Sequence, residues 1–139
     1  MLYFESNGYG YSKRLCEDVV CWFVESYLPK HKLDITVNHR GLSRELVTGW
    51  ANIEDNDYRP RCFLIEVHSR LNQEDYITTL LHELWHVYQW VKGDLKERRT
   101  RRLWDGIDYS EADYEDQPWE QEAKSMESIL FDEYKTQKA

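Results

Sequence analysis

The residues in this chain that name a chemistry are five in a row, His82-Glu83-Leu84-Trp85-His86. On a helix, positions four apart lie about one turn apart on the same face, so both imidazoles can reach a single metal ion. Glu83 then points at a water held by that ion and can act as its general base. Two nitrogen donors and a carboxylate in this order are the core of a zinc hydrolase. Two surface histidines beside a solvated glutamate are the bland alternative, and a closed structural zinc site is another. A structural site more usually recruits cysteines, and none lies near the motif.

Two histidines leave a catalytic zinc one protein ligand short, since such sites use three and keep a fourth position for water. No histidine follows His86, so only carboxylates remain downstream: Asp105, Asp108, Glu111, Asp113, Glu115, Asp116, Glu120, Glu122 and Glu127. Glu120 and Glu122 lie on opposite shoulders of the apolar stripe expected for the last helix, each about 70° to 90° from its centre. Either can point towards the motif helix, and helical geometry leaves both open.

The motif needs a helix, and the stretch from Asn72 to Gly93 reads as one. Asn72 is an N-cap residue, Glu74 and Asp75 fall in the first turn where the helix dipole favours anions, and Gly93 suits a C-terminal stop. Ile77, Leu81, Leu84, Tyr88 and Val91 recur at spacings of three and four, a stripe to bury against a sheet. An earlier helix runs from Tyr11 to about Pro29 through Leu15, Val19, Trp22, Phe23 and Tyr27. Three strands follow. Leu33, Ile35 and Val37 alternate with polar residues, 47–54 is a weaker candidate, and 61–68 is the strongest, with Phe63, Ile65 and Val67 on one face.

A turn near Arg40-Gly41 and the polar cluster 54–60 separate these strands. After the motif helix come a polar loop, 94–117, and a last helix opening at Pro118-Trp119 with Ala123, Met126, Leu130 and Tyr134 in its stripe. A loop of that length in a compact domain often borders a functional site. The sum is one α+β domain over residues 1–139: N-terminal helix, small three-stranded and mainly antiparallel sheet, motif helix, polar loop, C-terminal helix.

Composition agrees with a folded globule: 139 residues, 41% hydrophobic, six Trp and ten Tyr. No apolar run reaches the length of a membrane span, and the start of the chain does not read as a signal peptide, so a cytoplasmic protein is expected. Cys16, Cys21 and Cys62 form no metal-ligand pair and read as reduced thiols. A net charge of −8 disfavours a dedicated duplex-DNA or anionic-membrane binder. Lys96, Arg98, Arg99, Arg101 and Arg102 nevertheless form a basic run, followed by seven acidic and no basic residues between Gly106 and Glu122. Mutual neutralisation across a loop is the simplest account of the two segments.

Pro118-Trp119-Glu120-Gln121-Glu122-Ala123 resembles the ExxA element of glutamate-liganded zincins. In that family the Glu binds zinc and the Ala permits close helix contact, which implies Glu120 as third ligand and Ala123 as spacer. The layout as a whole is similar to small stand-alone zincin domains, including SprT-like and ImmA/IrrE-like metallopeptidases and short HExxH proteins encoded by bacteriophages. It departs from them in lacking a cysteine zinc ribbon and an attached helix-turn-helix, and in having Lys124 where several relatives carry an acidic residue. The resemblance implies a minimal zincin-like fold, one Zn²⁺, a peptide or protein substrate and, for a phage-encoded chain, the host cytoplasm. It also implies that strand 61–68 is an edge strand along which substrate lies.

On this reading His82, His86 and Glu120 hold Zn²⁺ and leave a position for water, whose pKa the ion lowers towards about 7. Glu83 takes that water's proton as a peptide carbonyl is attacked and passes it to the leaving amine. Tyr88, Tyr109, Tyr114 and His68 are candidates for stabilising the oxyanion, and loop 94–117 for a lid. Two rivals stand beside this one. One is a catalytically silent, zinc-stabilised binding or regulatory module; the other is a nucleic-acid-associated protease that uses the basic run 96–102.

Overall fold

The computed structural model describes residues 1–45, 47–55, 59–98 and 100–138. Part of the expected cluster 54–60, and Arg99 of the basic run, lie outside the described residues.

The N-terminal residues Leu2–Gly8 form strand β1, which leads into helix α1, Lys13–Tyr27. Ser12 caps α1 by accepting the Leu15 N–H at 3.2 Å, and Leu28 ends it just before Pro29. Strands β2 (Leu33–Arg40), β3 (Gly49–Ile53) and β4 (Cys62–His68) follow. In β2 and β4 every second side chain is buried, Leu33, Ile35, Val37 and His39 against Phe63, Ile65 and Val67. This period of two turns one face of the sheet to the helices.

The α+β class and all three expected strands are present, and their pairing differs from the mainly antiparallel sheet expected. The order is β1-β2-β4-β3, with β1 parallel to β2, β2 parallel to β4, and only β3 antiparallel to β4. The added strand β1 explains the parallel pairing on that side, because α1 is the crossover that returns the chain beside it. Strand β4 is therefore interior. The edge role expected for 61–68 falls to β3.

Helix α2, Gln73–Lys92, has the expected caps. Asn72 accepts the Asp75 N–H at 2.9 Å, and Gly93 at φ 87° closes the helix in the left-handed region that favours glycine. Leu80, Leu81, Leu84 and Val87 are wholly buried, each contributing about 1.5–3 kcal/mol, so packing fixes this helix more than propensity does. Trp85 meets Phe23 and Tyr27 of α1 edge-on.

Segment 94–117, expected as a structureless loop, is instead a small antiparallel sheet of β5 (Leu95–Arg98), β6 (Arg101–Trp104) and β7 (Ile107–Asp108), then a 3₁₀ turn at Tyr114–Asp116. Asp105 and Gly106, at φ 50° and 80°, make the tight β6–β7 turn. Helix α3, Pro118–Lys138, buries Trp119, Ala123, Leu130 and Tyr134 and half-buries Met126. Its Ala123, with no exposed surface, allows close approach to α2. Among the described residues no helix is long and apolar enough to cross a membrane.

Candidate metal centre

Helix α2 sets His82 and His86 one turn apart with ring centroids separated by 5.0 Å, and α3 brings Glu120 across to both. The His82 Nε2 lies 3.0 Å from Glu120 Oε1, and the His86 Nε2 lies 2.9 Å from Glu120 Oε2. One donor atom from each of the three residues falls within 4.8 Å of the others, so this group could hold a metal ion. Of the two carboxylates left open by helical geometry, Glu120 is the one that converges. The exposed Asp105, Asp108, Glu111, Asp113, Glu115 and Asp116 are not in the cluster.

The other ring nitrogens are tied back. The His82 Nδ1 lies 2.7 Å from Glu127 Oε2, and the His86 Nδ1 lies 2.8 Å from Gln89 Oε1. With Nδ1 as the protonated donor in each ring, both Nε2 atoms are left as ligands, the tautomer a divalent ion requires. Gln89 is itself fixed, donating to the Trp119 carbonyl at 2.9 Å and to Glu122 Oε1 at 3.2 Å. Glu122 also accepts the Trp85 indole N–H at 2.7 Å, so it serves as a strut between the helices. The donor set, its orientation and its burial all fit a metal.

The electrostatics point the same way. Burial alone would raise the Glu120 carboxyl, but the hydrogen bonds from His82 and His86 win and hold it far below the usual carboxylate range. Burial opposes a charge on His82, and the hydrogen bond to Glu120 with the charges of Glu83 and Glu120 overcomes it, pushing the ring up to about 9. The carboxylates of Glu120 and Glu83 thus stabilise a positive charge on His82. Glu83 is 6% exposed, and its burial pushes it up to about 7 against the lowering effect of His86 and His82.

Strand β3 forms the wall opposite the motif helix. Gly49 to Asn52 line a recess of about 500 Å³ together with Glu83, His86 and Glu120. A Cβ on Gly49 would stand 2.9 Å from Thr79 Cγ2, 3.0 Å from the Glu66 carbonyl oxygen and 3.4 Å from Glu83 Cγ, so only glycine lets β3 lie this close to α2. A second recess of about 720 Å³ continues past His68, His82 and Glu83.

Among the oxyanion candidates, Tyr114 reaches the cluster: its hydroxyl donates to Glu120 Oε1 at 3.0 Å. His68 lines the second recess and accepts the Leu42 N–H at 2.8 Å. Tyr88 stacks on Trp85, and Tyr109 meets Trp119 edge-on, so both are packing residues. Of the basic run, Arg102 pairs with Glu97 at 3.1 Å and lies over Trp119. The three cysteines are free, and burial pushes Cys16 up to about 11, keeping it a thiol.

The residues that sequence reasoning missed are Gln89 and the positioning role of Glu127. Both had a signal in their spacing: Gln89 sits one turn after His86, and Glu127 two turns after Glu120 on the same side of α3. Comparisons with protein-family models, with curated proteins and with solved structures return no match.

Proposed function

We propose that the protein is a zinc-dependent metallopeptidase with His82, His86 and Glu120 as ligands and Glu83 as general base. The observation that carries the reading is the convergence of these four residues, with both imidazoles oriented from behind, beside an edge strand. A bound Zn²⁺ would act as Lewis acid towards a peptide carbonyl and acidify water at the open position. Two imidazoles and a carboxylate suit zinc best, and cobalt, manganese or nickel also accept them.

The remaining steps belong to the chain. Glu83, buried beside the two imidazoles, can take a proton from the attacking water and return it to the leaving amine. Backbone groups of β3 can pair with an extended peptide and present its carbonyl to the centre. The Tyr114 hydroxyl is the donor best situated for the developing oxyanion.

The test is metal analysis of purified protein together with cleavage of peptide libraries. Wild type should carry one zinc per chain, and His82→Ala and Glu120→Ala should lose it. Glu83→Gln should keep the metal and lose about 10²–10⁴-fold in rate. Wild type without stoichiometric metal sinks the reading, and a Glu83→Gln protein as active as wild type reduces the centre to a structural one.

A further inference from the structure

We infer that the protein takes substrates with a run of acidic residues, held in a basic cleft on the N-terminal side of the scissile bond. The inference rests on the peptidase reading of the adjoining groove. Beyond Asn52, at the C-terminal end of β3, lies a cleft of about 1080 Å³ whose walls share Trp90 and Leu95 with the recess beside the metal centre. Among the described residues Arg59, Arg61, Lys92, Lys96, Arg98 and Arg101 line it, against the two carboxylates of Asp55 and Glu97. In a chain of net charge −8 this gathers positive potential at one place, and a cleft focuses it.

Direction follows from the strand. β3 runs from Gly49, which faces Glu83, to Ile53 at the cleft. At about 3.3 Å per residue, the cleft begins about four residues from the level of Glu83. A peptide pairing antiparallel to β3, the more stable ladder, runs the opposite way and lays its N-terminal part among the cations.

A nucleic-acid strand is the other polyanion to weigh. Asp55 and Glu97 interrupt the cations, and the one aromatic in the lining, Trp90, is 5% exposed and offers no open face for base stacking. A phosphodiester backbone also has no amide groups to pair with a strand edge.

The test uses metal-loaded Glu83→Gln protein, which can hold a peptide without cutting it, and fluorescence anisotropy. Three labelled peptides of equal length carry glutamates in the N-terminal half, glutamates in the C-terminal half, or glutamines in place of both. The first should bind about tenfold more tightly than the others at low salt, through several exposed charge pairs, with the difference shrinking as salt rises. Lys96→Glu combined with Arg101→Glu should abolish the preference while circular dichroism and metal content stay unchanged. Equal binding of the three peptides, preference for the C-terminal run, a preference that survives the double variant, or tighter binding of a single-stranded oligonucleotide overturns the inference. Because the readout is binding, it is separate from cleavage. Wild type that binds as expected and cuts none of the peptides refutes the peptidase reading alone.

Discussion

Each side chain at the candidate metal centre has distinct partners, so each substitution has a distinct expected signature. Gln89→Ala releases the His86 ring without removing a ligand, and metal affinity should drop about 10–100-fold in a chelator competition, with the fold intact by circular dichroism. Tyr114→Phe removes only a hydroxyl; it should lower kcat about tenfold or more with little change in KM, and an equal kcat would exclude the hydroxyl from the reaction. Acidity gives a third signature. In metal-free protein the His82 ring has its pKa raised from 6.5 to about 9, so its stabilising contribution is complete below pH 6.5 and is lost as pH rises through 9. Glu83, raised by burial from 4.5 to about 7, adds a loss of the same sign between those values. Melting temperature of the metal-free protein should therefore fall on going from pH 6.5 to pH 9, and His82→Ala should flatten much of that slope. Metal affinity should move oppositely, weakening as pH drops and the proton on His82 competes. His82, Glu83 and His86 are legible in the sequence because one helical turn relates them. Glu120 was legible only up to a choice with Glu122, since the rotation of α3 about its axis is set by packing against α2. Glu127 and Gln89 depend on that same rotation.

Among the elements, the three helices and strands β2, β3 and β4 announced themselves by period, whereas strand β1 and the way the strands pair stayed hidden. Nothing local in Leu33–Arg40 says that its neighbours are Leu2–Gly8 and Cys62–His68, both parallel to it. The hairpin after α2 was legible and overlooked: Asp105-Gly106 flanked by Trp104 and Ile107 is a strong two-residue turn signal, obscured by the charged residues around it. Gly106 has φ 80° and open space around its Cα, so Gly106→Ala should cost about 1 kcal/mol through backbone conformation alone, measurable by urea denaturation. Gly49→Ala is a different case. Backbone at the Glu66 carbonyl and the Glu83 side chain bound the space for its Cβ, so β3 must shift away from α2. Peptide cleavage should fall more than stability does, and a variant with wild-type kcat/KM would show that the spacing of β3 from Glu83 is not critical.

For the molecule as a whole, the centre joins two helices that are well separated along the chain. Helix α2 packs on α1 and the sheet through wholly buried side chains, and α3 is anchored to it by the equally buried Trp119, Ala123 and Leu130 together with the polar struts around Gln89 and Glu122. A metal bridging the two helices binds the docked state most tightly, so zinc at a thousandfold excess over Kd should stabilise by at most about 4 kcal/mol, and chelation should reverse this in a thermal melt. Glu120→Ala should show little of the shift. This separation along the chain also sets an order of events during folding. His82 and His86 come together as soon as α2 forms, on the timescale of a single helix, while Glu120 arrives only when a segment about forty residues away docks. An ion captured early by the histidine pair would wait for its third ligand and draw α3 in. Zinc present from the start should then speed refolding, whereas zinc added after the slow phase can only lock what has already assembled.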